Sequence, residues 1–105
     1  MTKAFSEAEI RERIAILNST GKSSWSLTDG KLQRTFRFTD FAAAWGFMSQ
    51  CALIAERMNH HPEWFNVYNQ VRVDLTTHDA GGISGLDFEL ASAMDRVAAQ
   101  LAGRD

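Results

Sequence analysis

The sequence has no basic excess: eleven Lys+Arg stand against thirteen Asp+Glu in 105 residues, a formal net charge of −2. A phosphate backbone finds no cationic surplus here, so direct nucleic-acid binding is not expected. With a single cysteine, Cys51, an internal disulfide is excluded, which fits a reducing cytoplasmic setting. Long apolar runs are also missing. The charge-free stretch from Phe41 to Ala55 is interrupted by Ser49 and Gln50, short of the roughly 18 to 20 apolar residues of a membrane span. The first residues, Met1 to Arg13, alternate charged and apolar side chains without the continuous apolar segment of a signal peptide. The only proline is Pro62, and neither a repeat nor a linker breaks the chain. One domain over residues 1–105 is expected, small enough that a neighbouring copy often completes its core or its site.

What is present reads as α-β-β-α-β-β-α. Ser6 and Glu9 have the spacing of a capping box, flanked by Phe5 and Ile10, and predict a helix over Glu7 to Asn18 with Ile10, Ile14 and Leu17 inward. Ser19, Thr20 and Gly21 supply its stop, Gly21 being suited to a left-handed cap. Asp29-Gly30 between Trp25–Thr28 and Lys31–Phe38 predicts a hairpin, with Leu32, Arg34, Phe36 and Phe38 on one face. Thr39 or Asp40 can cap a long helix to Met58, whose expected core face is Phe41, Trp45, Met48, Ala52, Ala55 and Met58. Pro62 forces it to stop. Two further strands follow from Trp64 to Thr77 around a turn at Tyr68-Asn69, with Val67, Val71, Val73 and Leu75 on one parity. Ser84 then opens a last helix with an inner face of Leu90, Ala91, Met94, Val97, Ala98 and Leu101. The fold class is α+β: a four-stranded antiparallel sheet with three helices packed on one face.

The chemical signal is histidine. All three, His60, His61 and His78, fall within nineteen residues and at element ends, where functional side chains are commonly displayed. An imidazole both takes and gives a proton near neutral pH. Glu56 stands one helical turn before His60 and can orient its ring; Asp87 sits in the first turn of the last helix, where it also complements the helix dipole. Each has a plain structural alternative: Glu56 as a solvated helix residue, Asp87 as a cap, Trp25 and Trp64 as core aromatics, Tyr68 as a turn residue, and Cys51 as packing. A three-histidine metal site is disfavoured, because extended geometry at His61 before Pro62 keeps His60 and His61 from converging on one ion.

Glu56, His60-His61-Pro62, Tyr68, His78 and Asp87 follow the spacing of one family's motif. The chain resembles the pterin-4a-carbinolamine dehydratases over roughly Trp25 to Ala99, including the run His60-His61-Pro62-Glu63-Trp64-Phe65-Asn66-Val67-Tyr68-Asn69. The resemblance implies the same α+β fold. It also implies dehydration of a 4a-hydroxytetrahydropterin, such as 4a-hydroxytetrahydrobiopterin, to the quinonoid dihydropterin and water, without metal or organic cofactor. By that resemblance His60, His61 and His78 form the catalytic set, with His60 and His78 in acid and base roles and His61 mainly placing substrate. Glu56 would orient His60 or bond the pterin. Asp87 would frame the site, Trp25 and Trp64 would border the ring, Pro62 would count among the substrate-binding residues, and edge backbone groups near Thr77 would bond the pterin. Family members are usually homodimers or homotetramers, and animal members also serve as dimerisation cofactors for a homeodomain transcription factor. A protein-interaction module is thus the alternative reading, and pterin binding without turnover a third.

Overall fold

The computed structural model describes residues 2–19 and 24–102. Helix α1 runs Glu7–Asn18, strands β1 and β2 Ser26–Thr28 and Lys31–Arg37, and helix α2 Phe41–Met58. Strands β3 and β4 cover Glu63–Val67 and Gln70–Leu75; after a single 3-10 turn at His78–Ala80, helix α3 covers Gly85–Ala102. The antiparallel sheet has the order β1-β2-β4-β3, and the helices pack on one of its faces, α2 mainly against α3.

Local chemistry accounts for the boundaries. Ser6 and Glu9 close a reciprocal capping box at α1, leaving fewer of its first amides unsatisfied. Gly21, expected to end that helix, lies outside the described residues. Asp29 and Gly30 take φ of 53° and 75°, the left-handed values a two-residue hairpin needs, and bring Thr28 opposite Lys31. Asp40, rather than Thr39, caps α2 by accepting from the Ala43 N–H at 2.8 Å. Asn59 ends α2 in the left-handed conformation, with the His60 N–H bonded to the Ala55 carbonyl at 3.0 Å.

The inner sheet face supplies Leu32 and Phe36 from β2 and Val71, Val73 and Leu75 from β4, all buried. Phe36 packs at a tilt against Phe47 of α2 with ring centroids 4.6 Å apart, and Phe38 lies 5.0 Å from the same ring. Leu90, Ala91 and Met94 close this core from α3.

Two expected faces are corrected. The buried side of α2 is Ala44, Phe47, Cys51 and Ala55, with Met48 and Met58 only partly buried; Phe41, Trp45 and Ala52 face outward. The helix is apolar on both sides, so helical spacing alone selects either stripe. Val67 also points away from the core. It pairs with Gln70 across the turn, and directly opposed residues share a face, so counting alternation through the turn inverted β3.

Cys51 is fully buried on α2, and burial pushes its thiol up to about 12. It is expected to resist thiol reagents at neutral pH in the folded chain and to react once urea unfolds it, since the thiolate is the reactive form. Mass spectrometry of alkylated protein across a urea series checks this; rapid labelling of native protein would contradict it.

Candidate active site

The end of α2, the start of β3, the end of β4 and the start of α3 meet at one end of the sheet, which carries all three histidines. The left-handed turn at Asn59 sends His60 inward. Its ring is only 8% exposed, and its Nε2 lies 2.6 Å from Oδ1 of the fully buried Asp87. Asp87 is the third residue of α3, and its other oxygen accepts from the Ser84 N–H at 2.9 Å and the Thr77 hydroxyl at 2.7 Å. Ser84 Oγ is 2.6 Å from Thr77 Oγ1 and accepts from the Leu86 N–H at 3.3 Å. Asp87 is thus a helix cap and a histidine partner at once.

The other two histidines sit at the surface. His61 Nε2 is 2.8 Å from Glu56 Oε1, with the ring 57% exposed. His78 Nε2 is 3.1 Å from Glu63 Oε2, with the ring 78% exposed. Glu63 meanwhile holds Lys31 Nζ at 2.5 Å through Oε1, and that ammonium keeps its carboxyl below the usual carboxylate range despite some desolvation. Each imidazole therefore has Nε2 on a carboxylate and Nδ1 unused by any described residue. Among the described residues, no group of three or more His, Cys, Asp and Glu side chains is arranged to hold a metal ion.

Several expected placements change. Glu56 pairs with His61, not His60, because the helix ends before His60 and the one-turn spacing no longer applies. Trp25 is 2% exposed, with Nε1 on Asp95 at 3.0 Å and its ring edge-on to Phe36 at 5.8 Å, so its faces serve the core. Backbone groups of Thr77 are taken: its N–H bonds the Gly82 carbonyl, and its own carbonyl accepts from Ala80, Gly81 and Gly82. Its side chain, rather than its backbone, enters the site network. Pro62 is half-buried at the entrance to β3, and Trp64 packs partly against the core. Tyr68 is exposed in the turn beyond the far end of β3, a strand that runs about 13 Å from Glu63 to Val67. Glu63 was not anticipated. Its signal in the sequence is weak: a strand-opening glutamate becomes a histidine partner only once antiparallel pairing brings residue 63 alongside the chain beyond Leu75.

Such a group of carboxylate-paired imidazoles can transfer protons and needs no further ligand to do so. Comparison with known proteins then fixes the lineage. The family profile described as Pterin 4 alpha carbinolamine dehydratase matches residues 3–97, and the chain belongs to that family. A protein of Solibacter usitatus, provisionally named pterin-4-alpha-carbinolamine dehydratase, is 52% identical over 99 residues, covering 94% of this chain and 99% of the relative. One of Rhizobium johnstonii, named in the same provisional way, is 53% identical over 92 residues, covering 85% and 91%. Among solved structures, a transcriptional coactivator/pterin dehydratase from Brucella melitensis superposes with a TM-score of 0.84 at 42% identity, covering 91% of this chain and 99% of that one.

Proposed function

We propose that this protein is a 4a-hydroxytetrahydrobiopterin dehydratase, a cofactor-independent hydro-lyase acting in the recycling of tetrahydrobiopterin. The observation that carries the reading is the triple pairing of imidazole with carboxylate, His60–Asp87, His61–Glu56 and His78–Glu63, at one end of the fold. The elimination removes the N5 proton and the C4a hydroxyl. Electrons of the N5–H bond become the N5=C4a double bond as the C4a–O bond breaks, and the hydroxyl leaves as water once protonated. His60 and His78 act at these two ends, each proton transfer contributing on the order of 10²- to 10⁴-fold. His61, held by Glu56, places the substrate.

The second reading, an interaction module, has its own observation. Phe41, Trp45 and Leu53 form an exposed apolar stripe on α2, with the Phe41 and Trp45 rings stacked at 6.1 Å. A partner protein would dock on that stripe; its competing occupant is a second copy of the chain in a homodimer or homotetramer, an assembly compatible with catalysis in the cytoplasm. The relative from Brucella melitensis is itself described by both terms, coactivator and dehydratase.

The test is stopped-flow absorbance decay of freshly made 4a-hydroxytetrahydropterin with buffer, wild type and His60→Ala/His78→Ala. Acceleration by wild type that the folded double variant loses is the expected result. Folded wild type that leaves the spontaneous rate unchanged would sink the dehydratase and direct attention to α2. A double variant as fast as wild type would remove these histidines from the mechanism.

A further inference from the structure

We propose that Thr77 is a positioning residue which, through Asp87, fixes His60 as the Nε2–H tautomer and makes Nδ1 its proton-accepting atom. The proposal deepens the dehydratase reading and rests on it for the identity of the substrate.

Asp87 as a carboxylate only accepts, and its Oδ2 lies within bonding distance of both the Ser84 N–H and the Thr77 hydroxyl. The Thr77 proton is thereby committed to Asp87. Ser84 must then donate its own hydroxyl proton to Thr77 Oγ1, leaving Ser84 Oγ to accept the Leu86 N–H. Every hydroxyl in the chain Ser84 to Thr77 to Asp87 has one permitted direction. With Oδ2 doubly occupied, the remaining acceptor, Oδ1, faces Nε2 of His60. A neutral imidazole carries one N–H, and in this setting that N–H is on Nε2.

The consequence lies at the other nitrogen. Nδ1 has no partner among the described residues, and the only buried unpaired side-chain nitrogens or oxygens found among them are Nε of Arg34 and Nε of Arg72. Nδ1 is therefore the open end of an otherwise buried ring, carrying a lone pair. It takes the N5 proton as the N5–H electrons form the N5=C4a bond, while His78, entering the step protonated, is the acid whose proton goes to the departing hydroxyl, which leaves as water. The resulting His60 cation rests on a carboxylate already oriented by two fixed donors, which need no rearrangement when charge arrives. Thr77 touches no reacting atom in this account.

Nitrogen-15 NMR of the histidine rings at about pH 8, where an ordinary imidazole is neutral, reads the tautomer without substrate. Wild type is expected to show His60 as Nε2–H alone, with a downfield Nε2 proton. Thr77→Val, nearly isosteric, should move that proton upfield and introduce the Nδ1–H form. It should also lower kcat about tenfold, the scale of one lost hydrogen bond to a charged group, with KM unchanged. Thr77→Ser, which keeps the hydroxyl, should restore both signals. Should Thr77→Val not fold, Ser84→Ala withdraws the first donor and is expected to shift the same proton less. A wild-type Nδ1–H tautomer would overturn the proposal, as would a Thr77→Val variant that raises KM with the His60 spectrum unchanged, since Thr77 would then be contacting the pterin. If wild type shows the Nε2–H tautomer but does not dehydrate the substrate, the dehydratase reading falls and the hydroxyl relay stands.

Discussion

Asp87→Asn is expected to cut the dehydration rate by between about 10² and 10⁴ while leaving a folded chain. The amide is the size of the carboxylate but offers one acceptor and one donor end. Its oxygen will stay with the Ser84 N–H and the Thr77 hydroxyl, two donors that otherwise go unpaired in a buried setting. The NH2 group then faces Nε2 of His60, which can accept only by giving up its proton, and the ring changes to the Nδ1–H tautomer. The atom that had a lone pair toward solvent now carries a hydrogen. A cationic His60 formed during turnover also loses its counter-charge at 2.6 Å. Loss of a charge-assisted bond at this site costs about 1–3 kcal/mol of stability, enough to lower the melting temperature by several degrees without unfolding the domain at 25 °C. Stopped-flow kinetics and a thermal melt on the same sample separate the two effects. A folded variant with the wild-type rate would show that Asp87 only caps α3.

How far the sequence reveals this arrangement can be judged from particular residues. Ser6 and Glu9, Asp29-Gly30, and the breaker at Asn59 to Pro62 act over three or four residues, so the element order and the limits of α1 and α2 follow from local chemistry. The His60-His61-Pro62 run and its spacing to His78 and Asp87 point to the candidate site by another route, the family resemblance, since eighteen and twenty-seven positions are beyond the reach of local chemistry. Pairings that depend on how a chain reverses were not legible. The left-handed Asn59 rotates His60 off the Glu56 face and into contact with a residue twenty-seven positions later. A two-residue turn with Tyr68 at φ 50° flips Val67 outward. Glu63 meets His78 only through antiparallel pairing. The choice between two apolar stripes on α2 is a question of what lies opposite, which no helical spacing answers.

That choice sets up the largest expected change in stability. Phe47→Ala removes a fully buried ring that touches both Phe36 and Phe38, and is expected to cost about 3–5 kcal/mol through lost transfer energy and the cavity left behind. A domain of this size has only about 5–15 kcal/mol in total, so the variant should sit close to unfolding at 37 °C. Trp45, two residues earlier and of larger area, is 56% exposed and borders Phe41 alone among the described rings. Within one chain, Trp45→Ala should cost about 0.5 kcal/mol or little more. If a second copy covers the stripe, however, Trp45 contributes to association, and its loss destabilises in a concentration-dependent way. Urea melts of both variants at two protein concentrations, with sedimentation velocity, distinguish these contributions. Phe47→Ala should lower the midpoint equally at both concentrations, while Trp45→Ala should shift the assembly toward monomer and lower the midpoint toward a value that dilution no longer changes. A Phe47→Ala midpoint equal to wild type would refute the placement of the core. Unaltered sedimentation in Trp45→Ala would take the apolar stripe of α2 out of self-association and leave it open to a different partner.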